Sequence, residues 1–105
     1  MDSPERLAGD QRAVLQLVLG QGRSYGEIAG LLSIAPEQVR ARALAALDAL
    51  GPPTTVSESD RARIADYLLG QVPASDGDQV RAALVGSPEQ RAWARVVAAE
   101  LGPLA

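Results

Sequence analysis

Apolar residues recur along this chain three and four positions apart, in several short segments. In the first segment, Ala13, Val14, Leu17 and Val18 follow this spacing and predict a helix from Asp10, its cap, to about Leu19. Ala and Leu dominate the apolar residues, and β-branched residues are scattered rather than clustered. Because this composition favours helices over sheets, we predict an all-α fold.

A capping signature marks the second helix. Ser24 is followed three residues later by Glu27, the pattern of a capping box, and a short apolar helix follows. Residues 33–35 predict a turn, and Pro36 suits the first position of a third helix that we predict to end at Leu50.

The segment 51–57, Gly-Pro-Pro-Thr-Thr-Val-Ser, is the clearest break in the pattern, because two successive prolines do not continue a helix. We therefore predict a three-helix head (residues 1–51), a Pro/Thr linker (52–58) and a small three-helix tail (59–105). The predicted tail helices span about Ser59 to Leu69, Asp78 to Val85, and Pro88 to Leu101.

Composition narrows the chemistry. The 105 residues include no His and no Cys, which excludes imidazole and thiolate catalysis, disulfides and the usual zinc sites. We therefore expect no enzymatic activity, no cofactor and no metal. The apolar runs are too short to span a bilayer, and the acidic start of the chain is unlike a signal peptide, so we expect a cytoplasmic protein.

A short helix, a tight turn and a longer helix with a polar start form the helix-turn-helix pattern, here in residues 22–47. The first helix braces the second, which presents its first turns to the DNA major groove. The candidate DNA-facing positions are Glu37, Gln38, Arg40, Ala41 and Arg42. Gln38 suits base edges, and Arg40 and Arg42 suit phosphate or guanine.

Residues 6–50 resemble region 4 of sigma-70-type RNA polymerase sigma factors, especially the extracytoplasmic-function class. The matching features are Gln11-Arg12-Ala13-Val14, the Gly-x-Ser-Tyr-x-Glu-Ile-Ala run at 22–29, and Val39-Arg40-x-Arg42. The resemblance implies binding to promoter −35 DNA and contact with RNA polymerase. It gives Gln38, Arg40 and Arg42 the DNA-facing role, and adds Arg23 and Ser24 as contacts to the DNA backbone.

This chain departs from that family in the second half of the third helix, where the family usually has several Lys or Arg residues. Here Leu44, Ala45, Leu47, Asp48 and Ala49 occupy those positions. Because Leu44 and Leu47 lie on a face expected to be wet, we predict that a partner covers them, within the chain or between chains. Trp93 is a third candidate interface or core residue. Region 2, which melts promoter DNA, has no counterpart, so the sequence is not that of a complete sigma factor.

Residues 61–101 have a weaker resemblance to the zinc-binding anti-sigma domain. It rests on residues 64–70, Ile-Ala-Asp-Tyr-Leu-Leu-Gly, and on the spacing of Ala83, Ser87 and Gln90. Those three residues stand where the family has its His and two Cys ligands. The zinc role therefore does not carry over to this chain.

Three functions agree with these patterns. The first is a transcription regulator that binds promoter-like double-stranded DNA as a homodimer, because one head offers few phosphate contacts in a chain of net charge −3. The second is a protein–protein adaptor that does not bind DNA and docks its Leu44/Leu47 face on the tail, on a second copy of the chain, or on RNA polymerase or another sigma or anti-sigma protein. In the third, the tail masks the head within the same chain.

Overall fold

The computed structural model describes residues 7–104, which form six α-helices and a closing 3₁₀ helix, with no strand in that range. The all-α prediction is therefore confirmed. The helices are α1 (Gly9–Gln21), α2 (Tyr25–Leu32), α3 (Pro36–Leu50), α4 (Glu58–Leu68), α5 (Ala74–Gly86) and α6 (Pro88–Leu101), and the 3₁₀ helix is Gly102–Leu104.

The predicted capping box at the start of α2 is present. The Ser24 hydroxyl accepts a hydrogen bond from the Glu27 amide at 3.2 Å, and the Glu27 carboxylate accepts one from the Ser24 amide at 3.0 Å. Ser33 takes a left-handed conformation, with φ 57°, and ends α2. Pro36 then opens α3 directly after the turn at residues 33–35, as predicted.

Two predicted helix starts are wrong. The cap of α1 is Ala8 rather than Asp10, and the Gln11 side chain completes it by accepting a hydrogen bond from the Ala8 amide at 3.1 Å. Helix α5 begins at Ala74, four residues before the predicted Asp78, because Gly77 does not break it. Gly77 is buried where a Cβ would lie 3.5 Å from the Tyr67 ring, so a small residue suits this packing site.

The head and the tail share one hydrophobic core. In the head, α3 packs against α1 and α2, and its Ala46, Leu47 and Leu50 are at most 1% exposed. Helices α4 and α6 of the tail pack on the same α3, and Trp93 joins its core cluster. Helix α3 is therefore fixed along its length, which determines the part of its surface that stays open.

Candidate nucleic-acid interface

The first turn of α3 faces solvent. Glu37, Gln38 and Ala41 are exposed, and the side chain of Arg40 is 45% exposed. Val39, between them, is fully buried and anchors the helix to the core below. The bracing helix α2 thus holds up a helix end that has room to approach another molecule.

Gln38 is partly committed to the local structure. Its side-chain oxygen accepts a hydrogen bond from the amide of Ala35, the cap residue of α3, at 3.0 Å, and this bond helps to fix the start of the helix. Gln38 still has its side-chain NH₂ group for a contact outside the chain.

Arg40 forms a forked ion pair with Asp66 of the tail. Its Nη2 lies 2.8 Å from Asp66 Oδ2, and its Nε lies 3.1 Å from the same oxygen and 3.3 Å from Oδ1. The hydrogen bonds to Asp66 raise the pKa of Arg40 above its ordinary value. Two-point pairing of this kind fixes the direction of the guanidinium as well as its charge.

Tyr25 completes the surroundings of Asp66 by donating its hydroxyl to Asp66 Oδ1 at 2.9 Å. Burial raises the pKa of Tyr25 above its ordinary value, and the negative charge of Asp66 acts in the same direction. The phenol is therefore protonated at neutral pH and serves as the donor.

The side chain of Gln71, just after α4, forms hydrogen bonds with the backbone at the start of α2. Its Oε1 accepts a hydrogen bond from the Tyr25 amide at 2.9 Å, and its Nε2 donates to the Arg23 carbonyl at 3.2 Å. We call these bonds, together with those from Asp66 to Arg40 and Tyr25, the tail–head contact. It joins the tail to both helices of the helix-turn-helix.

The other predicted basic contacts also lie beside carboxylates. Arg23 Nη1 is 3.6 Å from Glu27 Oε2, and Arg42 Nε is 3.4 Å from Asp10 Oδ2. Ser24 is exposed but uses its hydroxyl in the capping box. Because these two ion pairs are largely solvated, each is worth little and can be exchanged for another anion.

The predicted interface residues are covered within the chain. Leu47 is fully buried and Trp93 is 2% exposed, while Leu44 is half-buried beside Arg61 and Ala65 of α4. The larger exposed apolar side chains in the described range lie elsewhere, and sequence reasoning did not single them out as a surface: Leu31, Leu32, Val85 and Val96.

The sequence analysis also did not predict the contacts that Asp66 and Gln71 make with the head. Asp66 is 26 residues from Arg40, and Gln71 is 46 residues from Tyr25. No pattern of neighbouring residues predicts contacts between residues so far apart in sequence, because these contacts form only when α4 packs on the head.

No helix in residues 7–104 has the length and apolar character needed to cross a membrane. Over the same range, no three His, Cys, Asp or Glu side chains are grouped so that they could hold a metal ion. Comparisons with protein-family models, with curated proteins and with solved structures find no match to this chain.

Proposed function

We propose that this chain is a transcription regulator that binds promoter-like double-stranded DNA through the start of α3. The observation that supports the proposal best is the outer face of the first turn of α3, where Glu37, Gln38 and Arg40 are exposed while Val39 anchors the turn to the core. An α-helix fits the major groove of B-DNA, and arginine is the commonest side chain in specific contacts with guanine.

The neighbouring residues suit supporting roles. In this proposal, Gln38 offers its NH₂ group to base edges, and Arg42, Arg23 and Ser24 contact the DNA phosphates. The remaining α3 surface lacks cations, so one head makes few phosphate contacts. A homodimer that places two heads on one duplex compensates for this weakness, and the resemblance to sigma region 4 adds RNA polymerase as a partner. Action on bacterial promoter DNA would place the protein in the cytoplasm.

The structure gives less support to the adaptor hypothesis. Docking of the Leu44/Leu47 face on a second copy, on RNA polymerase or on another sigma regulator needs that face to be open, but Leu47 is fully buried in the chain's own core. The same observation favours a tail that acts on the head.

Fluorescence anisotropy with a labelled duplex, selected from a random-sequence pool at low salt, tests the DNA-binding proposal. We expect Arg40→Ala combined with Arg42→Ala to weaken binding about tenfold or more and to reduce the slope of log Kd against log salt, by less than the roughly 2 expected for two unpaired arginines. The matched control is Arg81→Ala with Arg95→Ala, which removes two exposed charges from α5 and α6 and should change binding much less.

Two results would contradict the proposal. One is binding that depends neither on salt nor on Arg40 and Arg42. The other is absence of binding at low salt both in the wild-type chain and in the Asp66→Asn variant described below.

A further inference from the structure

We propose that the tail–head contact is an autoinhibitory device, in which Asp66 holds Arg40 and so weakens DNA binding by the same chain. This inference rests on the proposed DNA-binding function and specifies how that function is regulated. Its structural basis is that the most exposed basic side chain at the start of α3 is the one engaged by the tail.

Asp66 and DNA compete for the same donors. Arg40 uses Nε and Nη2 on the carboxylate, and these are the groups that a two-point contact with guanine or phosphate requires. The carboxylate would also lie close to the phosphates of a bound duplex and repel them. DNA must therefore displace Asp66 before Arg40 contributes to binding.

The tail–head contact holds Asp66 in position from two sides. Tyr25 donates to its second oxygen, and Gln71 ties the end of α4 to the start of α2. Three head residues and two tail residues take part: Arg23, Tyr25 and Arg40 in the head, and Asp66 and Gln71 in the tail. The arrangement therefore keeps α2 and α3 in one fixed relation to the tail.

The contact lies where it can open. The Asp66 side chain is 14% exposed and Arg40 is 45% exposed, so the ion pair lies at the edge of the core rather than inside it. Asp66 also borders a cleft of about 330 Å³ between α4 and α5, lined by Arg63, Val72, Asp76 and Val80 among others. Because the Arg40 side chain of the pair is about half exposed, an anion from solution can approach its guanidinium and compete with Asp66.

The chain provides a matched control for the Asp66–Arg40 pair. Asp48 of α3 pairs with Arg61 of α4 at 3.1 Å, so it also links these two helices, but near the opposite end of α3. Asp48→Asn and Asp66→Asn remove the same charge from the same helix pair, and only the second frees a side chain at the start of α3.

The experiment measures the Kd of the selected duplex for the full-length wild-type chain, Asp66→Asn and Asp48→Asn, with circular dichroism to verify folding. We expect Asp66→Asn to tighten binding about fivefold or more, the lower end of typical coupling between two sites, and Asp48→Asn to change it by less than about twofold. In an Arg40→Ala background, Asp66→Asn should tighten binding clearly less than in the wild-type chain, because only the repulsion between Asp66 and the phosphates is then relieved.

Equal tightening in the two variants would reflect net charge alone and would overturn autoinhibition. Wild-type binding with no change in Asp66→Asn would overturn it as well, and would leave the proposed function intact. Absence of binding in all chains would overturn the proposed function itself. If Asp66→Asn does not fold, Tyr25→Phe with Gln71→Ala loosens the contact while keeping every charge, and unchanged binding in that variant overturns the proposal.

Discussion

Gly51, at the end of α3, lies close to Trp93 of α6. Replacing Gly51 by alanine adds one methyl group at this contact and so tests whether head and tail share a core. Gly51 caps α3 in an extended conformation, with φ −83° and ψ 162°, which any residue adopts. A Cβ at this position would lie 2.4 Å from Trp93 Nε1 and 3.1 Å from Val97 Cγ2. Gly51→Ala therefore tests packing between α3 and α6, without backbone strain.

The size of the effect follows from this geometry. Ordinary contacts of a Cβ begin at 3.4 Å, so the methyl group is about 1 Å too close to the indole. Trp93 is 2% exposed and cannot swing into solvent to make room. Overpacking of a core costs about 1–3 kcal/mol, whereas replacing glycine by alanine gains about 0.4–1 kcal/mol through the unfolded chain. We expect Gly51→Ala to lower the free energy of unfolding by about 1–2 kcal/mol.

Urea unfolding, followed by Trp93 fluorescence and by circular dichroism, measures this loss. With a typical slope of about 2 kcal/mol per molar urea, the midpoint should fall by about 0.5–1 M. The control is Gly20→Ala on the exposed side of α1, where a Cβ meets nothing within 4 Å, and it should stabilise the chain by about 0.5–1 kcal/mol.

A Trp93→Phe change in the Gly51→Ala chain should recover part of the loss, because the smaller ring leaves room for the methyl group. Circular dichroism replaces fluorescence for that pair of variants, since Trp93 is the only tryptophan. An unchanged midpoint in Gly51→Ala, or separate transitions by the two probes, would refute a common core for head and tail.

Two further predictions concern Tyr25 and the buried face of α3. Because folding raises the pKa of Tyr25, its stabilising effect is complete below the ordinary tyrosine pKa of about 10 and is lost as pH rises above it. In a Tyr67→Phe chain, where Tyr25 is the one tyrosine, absorbance at about 295 nm should report tyrosinate only when the chain unfolds, and ionisation of the folded chain near pH 10 would contradict the assignment. Leu47→Ala should cost about 2–4 kcal/mol of unfolding free energy, since Leu47 is fully buried, and Leu44→Ala clearly less, since Leu44 is half-buried; equal costs would contradict this difference in burial on α3.

The elements that the sequence predicts best are those specified by local chemistry. Ser24 and Glu27 interact across one turn of helix, and Pro36 fixes its own φ angle, so α2, the turn and the start of α3 follow from neighbouring residues. The start of α5 was predicted four residues too late, because nothing in residues 74–77 taken alone marks a helix start, whereas in the fold Gly77 lies buried within α5 beside the Tyr67 ring.

Gly51 also shows that local sequence does not reveal contacts made between distant helices. The sequence correctly predicted that α3 ends before Gly51, but it did not predict why a glycine is needed at this position. Pro52 follows and favours an extended conformation, so the left-handed conformation typical of glycine caps is not used. The close contact with Trp93, 42 positions later, depends on how α6 packs. The pairing of Arg40 with Asp66 was out of reach for the same reason.

The ion pairs of the arginines in the helix-turn-helix determine how an acidic chain would perform the proposed binding to DNA. In a chain of net charge −3, Arg23, Arg40 and Arg42 each lie beside a carboxylate, so little free positive charge remains on the helix-turn-helix. A phosphate that displaces these carboxylates gains an arginine but leaves an unpaired anion nearby, which reduces the net attraction. Added salt weakens the internal pairs as well as the phosphate contacts, and these two effects oppose each other. Binding by such a head should therefore depend less on salt, and more on the fit between α3 and the bases, than binding by a head whose arginines are free.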